Sequence, residues 1–151
     1  MASIANITVY DGAATPVSHT LNAISVNSLP TGGVEAVYRE ALSGTPAYAN
    51  VEARLRMQPL KSGVTRIEAS VAVPVMESVS GQNAQGYTAA PKVAYVNRVT
   101  AVGFFHQRST VTDRRIAKQI LTNLLNNVST SVAAATSGPV PDIFDSLVAP
   151  T

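Results

Sequence analysis

The hydrophobic period of this chain changes once, and that change constrains the fold more than any other feature. Up to about residue 108 apolar side chains recur at every second position in short runs broken by turn residues; from residue 109 they recur every three to four. An antiparallel sheet with one apolar face needs a cover, and here every helix must come after the last strand. One helix of about five turns and one stub, each roughly 10 Å wide, are too little to cover six or so strands. The pattern therefore predicts an α+β chain with an N-terminal β-hairpin, an antiparallel sheet and two C-terminal helices. The missing cover is expected from a second copy, in an interlocked homodimer whose sheets meet edge to edge along residues 93–105.

Ile7-Thr8-Val9-Tyr10, the turn Asp11-Gly12 and a run from Val17 to Val26 read as the opening hairpin. Leu29-Pro30-Thr31-Gly32-Gly33 breaks the run, and Val34 to Ala41 follows as a strand that ends at Ser43-Gly44-Thr45-Pro46. From Asn50 the alternation sets Val51, Ala53, Leu55 and Met57 on one face against Glu52, Arg54, Arg56 and Gln58 on the other. After the turn Lys61-Ser62-Gly63, a strand from Val64 to Val73 puts Thr65, Ile67, Ala69, Val71 and Val73 on one face, and Pro74 is expected to interrupt its ladder. Residues 77–92 are polar, glycine-bearing and aperiodic, a long loop of the kind that carries function. Val93 to Phe105 is the longest apolar strand. Thr112 is the expected cap of the first helix, with Asp113 at its positive end; Ile116, Ile120, Leu121, Leu124, Leu125, Val128 and Val132 form its stripe, and it is expected to end near Gly138-Pro139. A short second helix is expected with Pro141 in its first turn, Asp142 close by and Ile143, Phe144, Leu147 and Val148 as its apolar face. The whole of 1–151 reads as one domain: residues 1–108 as hairpin and sheet, with the loop at 77–92, and residues 109–151 as a helical dimerisation segment.

The chain is 46% hydrophobic and only 13% charged, about half the charge of an ordinary soluble domain. Such a surface favours burial against other subunits. Net charge is +2, so no basic tail announces nucleic acid, although a small positive charge repeated on the inner face of a closed shell sums to a strong attraction for RNA. There is no cysteine, which excludes a disulfide framework and the usual zinc patterns. No leader segment and no membrane-length apolar run is read, and no cofactor or metal is expected. His19 and His106, with Asp113 near the latter, are the only materials for a catalytic dyad and lie in no nucleophile elbow or metal spacing, so an enzyme is not expected. A small hydrolase or isomerase using either histidine is the weaker rival.

The order of these elements resembles the coat proteins of the single-stranded RNA bacteriophages, the levivirus-like family. Val71-Ala72-Val73-Pro74 before the long loop is similar to that family's strand end, and Tyr95-Val96-Asn97 after it is similar to its Tyr-x-Asn signature. The resemblance spans nearly the whole chain. It implies a structural capsid protein whose homodimers close into an icosahedral shell of T=3 type, assembled in the host bacterial cytoplasm and located in the virion. It also implies partners: viral single-stranded RNA including a stem-loop, and a minor receptor-recognition (maturation) protein.

In that family the sheet face opposite the helices binds an RNA hairpin, so the resemblance gives Tyr95 a base-stacking role and Asn97 a hydrogen-bonding one. Alternation puts both on one face of their strand, and an exposed ring is a platform for an unpaired base. Arg54 and Arg56 share a face suited to phosphates. Arg66 and Ser70 occupy the preceding strand, but Glu68 between them would repel phosphate, and Arg98 and Val99 stand where relatives often have an apolar and an acidic residue. Gly81, Gly86 and Pro91 would be hinges of the assembly loop, and Ile116, Ile120, Leu124 and Val128 the dimer interface. Two other readings stay beside these: a packed Tyr95, and Arg54 and Arg56 paired with Glu52 or Glu68 across the sheet. The rival function is a non-viral oligomeric β-sheet module that coats nucleic acid without closing a shell.

Overall fold

The computed structural model describes residues 4–78, 86, 90–129 and 133–151. Its strands are β1 (Ile7–Tyr10), β2 (Ser18–Leu29), β3 (Gly33–Glu40), β4 (Glu52–Pro59), β5 (Val64–Met76) and β6 (Val93–His106), with a 3-10 turn at Ala47–Ala49. They form one antiparallel meander in sequence order, with β1 and β6 at its edges. Among the described residues two helices follow, α1 (Val111–Asn126) and α2 (Pro139–Phe144).

Local chemistry explains the turns. The Asp11 carboxylate accepts the N–H groups of Ala13 (3.2 Å) and Val17 (2.9 Å), closing the β1–β2 connection. At Gly33 the backbone of β4 comes so near that a Cβ would lie 2.5 Å from the Met57 carbonyl oxygen, so β3 can start beside β4 only with glycine there. Pro74 does not interrupt β5, contrary to expectation: it stays in register opposite Val96. The pairing of β4 with β5 stops at Glu52↔Ala72, so from Val73 onward β5 has a strand on one side only, and a missing N–H is tolerated there.

The core lies on one face of the sheet. Leu21, Ala36, Tyr38, Ala53, Leu55 and Ile67 are buried beneath Ile143 and Phe144 of α2, and Phe144 meets Phe105 edge to face at 6.4 Å. The short helix therefore caps the core. The longer one is tied to it by charge: Asp145, fully buried, accepts from Lys118 Nζ (2.7 and 2.8 Å) and Arg115 Nε (3.2 Å), and its main-chain oxygen accepts from Arg114 Nε (2.7 Å). Arg114 is the one buried residue of α1 among those described. The cap of α1 is Thr110, not Thr112: Thr110 is extended and exchanges hydrogen bonds with Asp113 in a capping box, while Thr112 is already helical. The helix also ends earlier than expected, where Asn127 turns left-handed (φ 49°) and its N–H reaches the Asn123 and Leu124 carbonyls.

Candidate nucleic-acid and assembly surfaces

Every second residue of β3 to β6 faces away from the helices, and this open face is charged. The cross-strand register aligns Arg39 with Glu52, Glu35 with Arg56, Arg56 with Glu68, Arg54 with Ser70, and Ser70 with Thr100. The side chains interlock as a ladder: Glu52 accepts from Arg39 (3.0 Å) and Arg54 (2.7 Å), Glu35 from Arg54 (3.4 Å) and Arg56, and Glu68 from Arg66 (2.6 Å) and faces Arg56 at 3.9 Å. The Arg54 guanidinium pushes the Glu52 carboxyl below its ordinary value against the opposing effect of burial, the larger single influence; hydrogen bonding to Glu52 raises Arg54. Arg98, opposite Ala72 on the same face, is exposed and has no ion pair among the described residues. Five arginines against three glutamates leave this face an excess of two positive charges, equal to the formal net charge of the whole chain.

Arg54, Arg56, Arg66 and Ser70 are thus brought onto one face. Ser70 is only 9% exposed beneath its neighbours, and the three arginines are already paired. Tyr95 and Asn97 are not with them, which corrects the expectation. Tyr95 stands opposite Val75 and Asn97 opposite Val73, on the face that carries the core and the helices. That face is set by the register running unbroken from Val64↔His106 to Val75↔Tyr95; the shift comes only beyond it, where Met76 pairs with Val93 and Ala94 is left without a partner. In the same register Val96, Arg98 and Thr100, opposite Pro74, Ala72 and Ser70, take the open face.

The helix-side face is incompletely covered. An apolar groove of about 600 Å³ runs beside the core, lined among others by Ile7, Val9, Leu21, Val71, Val73 and Val140. Tyr95 (58% exposed) and Val99 (69%) continue this apolar face toward the β6 edge. Ile116, Ile120 and Leu124 of α1, and Val128 just past its end, all point to solvent, Leu124 at 72% exposure. The expected interface stripe is therefore uncovered within one chain. At the groove rim His19 bridges two carboxylates, Nδ1 to Glu40 (3.0 Å) and Nε2 to Asp11 (3.4 Å). The Glu40 carboxylate holds the imidazole above its ordinary pKa, and the Val17 and Ala13 amides hold Asp11 below its own. His106 lies on β6, four strands from β2 in the sheet order, so the two histidines form no dyad.

Of the loop residues, Gly81 lies outside the described residues; Gly86 has φ 78°, and the Pro91 carbonyl accepts a hydrogen bond from the Tyr48 hydroxyl (2.9 Å). Tyr48, Glu35 and the Asp145 cluster were not singled out by sequence reasoning, and Arg98 was noted there only as a departure from the family pattern. The only available signal was the spacing of Arg114, Arg115 and Lys118 on one side of α1.

The profile of the levivirus coat protein family matches residues 2–145. Among solved structures, the virus-like particle of bacteriophage EMS014 is 28% identical, with a TM-score of 0.69 over 89% of this chain and 81% of that one. The coat protein of bacteriophage EMS014 in a second structure is 26% identical, TM-score 0.63, over 94% and 84% of the two chains. The virus-like particle of bacteriophage ESE058, at 21% identity and TM-score 0.67 over 87% and 92%, shares the fold. No curated protein sequence matches. A family profile that covers nearly the whole chain, on a six-stranded meander with two C-terminal helices, leaves no room for the non-viral module or the hydrolase: the chain belongs to the levivirus coat protein family.

Proposed function

We propose that the chain forms homodimers that close into the icosahedral shell of an RNA phage virion, assembled in the bacterial cytoplasm around the genome, with a maturation protein as a minor companion. One observation carries this reading. A chain with the levivirus coat fold leaves a groove on its sheet open and the apolar stripe of its own helix exposed, so each copy has what the other needs. Burial of the Ile116, Ile120, Leu124 and Val128 stripe against a partner's groove, with the sheets meeting along β6, satisfies both. The particle formed by the EMS014 relative supports the same assembly.

RNA is held on the open face, with phosphates against Arg54, Arg56, Arg66 and Arg98 and hydroxyl contacts from Thr100 and, where its neighbours move aside, Ser70. The helix-side placement of Tyr95 and Asn97 supports a role for them at the subunit interface instead. Expression of the chain alone in bacteria, followed by light scattering and negative-stain electron microscopy, tests the proposal. Uniform hollow particles containing host RNA are expected; a dimer that forms no particles at any salt or RNA concentration would overturn it. Arg98→Ala is expected to lower RNA affinity while Tyr95→Ala weakens the dimer, and the reverse pattern returns Tyr95 to the RNA site.

A further inference from the structure

We infer that His19 is a pH-dependent latch on the groove that receives the second copy: its protonated ring fastens the β1–β2 turn to β3, and loss of the proton releases that wall of the groove and weakens the dimer. This rests on the reading of the groove as the seat of a partner's helix and adds the condition under which the seat is formed.

His19 lies between two carboxylates, with Nδ1 3.0 Å from Glu40 and Nε2 3.4 Å from Asp11. Each ring nitrogen faces an acceptor, so only the imidazolium, with a hydrogen on both, satisfies the two contacts together. A neutral ring has one hydrogen, and its bare nitrogen meets a carboxylate oxygen lone pair against lone pair. Glu40 is only 5% exposed, and among the described residues His19 is its one cationic partner, so the remaining hydrogen stays with Glu40. The contact given up is the one to Asp11. The turn itself survives, because Oδ1 of Asp11 still accepts the Ala13 and Val17 amides, but its tie to β3 through the ring is gone.

That turn is a wall of the groove, which Val9, Asp11 and Gly12 line on one side with His19 at the rim. β1 is an edge strand of four residues paired with β2 alone, so little else holds this wall in place. From the other elements the groove receives Val51 and Leu55 of β4, Ser70 and Val71 of β5 and Val140 of α2, none of which titrates; the Tyr10 phenol is the one further titratable group in the lining. The charge of the rim is therefore decided by His19. Two carboxylates and an imidazolium sum to one negative charge, and with a neutral ring the sum is two. Covering the rim with the apolar stripe of a partner's α1 costs more in the second state. Both effects act in one direction, and the dimer holds the His19 proton more tightly than the free chain, where the Glu40 carboxylate already keeps the ring above its ordinary value. The dimer is accordingly tightest below the pKa of His19 in the free chain, and it weakens as pH rises from there through the value in the dimer.

Sedimentation of the full chain, below the concentration at which particles form and at fixed ionic strength, gives the dimer dissociation constant between about pH 5.5 and pH 9. The constant is expected to rise about ten- to a hundredfold over that range, because two equivalent grooves each contribute a factor of ten for every pH unit by which the dimer holds its proton more tightly. Asp11→Asn separates the latch from a general effect of pH. The amide oxygen can take the place of Oδ1 and keep the turn, while the NH₂ group takes the place of Oδ2 and donates to Nε2 of a neutral His19. This variant should stay tight at high pH and lose most of the rise. His106→Gln, which replaces the chain's other histidine, should keep the rise of the parent. A dissociation constant that does not change with pH, a rise undiminished in Asp11→Asn, or a rise that disappears with His106 would each overturn the latch and leave the dimer standing. A chain that is monomeric at every pH removes both.

Discussion

Asp145 offers one negative charge to two cationic side chains, Lys118 and Arg115, while its backbone oxygen engages a third, Arg114. The carboxylate has no access to water, so its loss would leave a half-buried ammonium and guanidinium facing each other with nothing between. Asp145→Ala is expected to cost about 3–5 kcal/mol, the range for removing one member of a buried ion pair, read from urea unfolding at fixed chain concentration. Asp145→Asn keeps the shape and one acceptor and should cost less; equal costs would show that packing, not charge, holds α1 to α2. His19 works in a different register. Its folded pKa lies above the ordinary value of about 6.5, so the bond to Glu40 contributes fully below that value and fades as pH rises through the folded one. Asp11 is depressed, so its contribution is present above the ordinary carboxylate value and fades as pH falls through the folded one. Amides of β1 and β2 should therefore exchange faster, after correction for intrinsic rates, as pH rises from the ordinary histidine value through the folded one. His19→Gln should remove that step, and an unchanged profile would take His19 out of the hairpin.

At the level of elements, α1 carries its pattern openly and hides its orientation. The stripe from Ile116 to Val128 was legible because a 3.6-residue period has no other meaning, but a period does not say which way the stripe faces. In this chain it turns outward, because the short α2 already caps the core and the charges of Arg114, Arg115 and Lys118 turn toward Asp145. Leu124→Asp is accordingly expected to leave the chain folded by circular dichroism while shifting its mass in sedimentation from dimer to monomer. Loss of the fold instead would mean that α1 packs inward. The strands were equally legible from their two-residue period, and their faces were not. Tyr95 and Asn97 were rightly read as sharing a face, but which face depends on the β5–β6 register that puts them opposite Val75 and Val73, and nothing within Tyr95-Val96-Asn97 carries that register. The same limit applies to charge: Arg54 and Arg56 were visible as neighbours, whereas Glu35, which pairs with both, could be joined to them only by the β3–β4 register.

For the molecule as a whole, the proposed RNA face raises the question of how a chain of net charge +2 would hold a polyanion. The excess sits on the open face, but most of its cations are already matched by Glu35, Glu52 and Glu68, so each phosphate that arrives must displace a carboxylate as well as counterions. Exchange of one partner for another gives little net energy per arginine, and binding to a single dimer should be weak and mildly salt-dependent. A shell would repeat the face many times, so that weak contacts would suffice for the proposed packaging and would spare each dimer from being trapped on any one RNA. The glutamates then set the strength of the grip, and Glu68 is the one to remove. It lies between Arg66 and Arg56, and Arg56 retains Glu35 when Glu68 is neutralised, so Glu68→Gln keeps the shape of the ladder and frees one guanidinium. Affinity for RNA should rise at low salt, and the dependence of log K on log salt should steepen by about 0.7–0.9 for each subunit whose face touches the RNA. An unchanged slope would mean that phosphates never reach Arg66, and the RNA face would shrink to the stretch around Arg54 and Arg98.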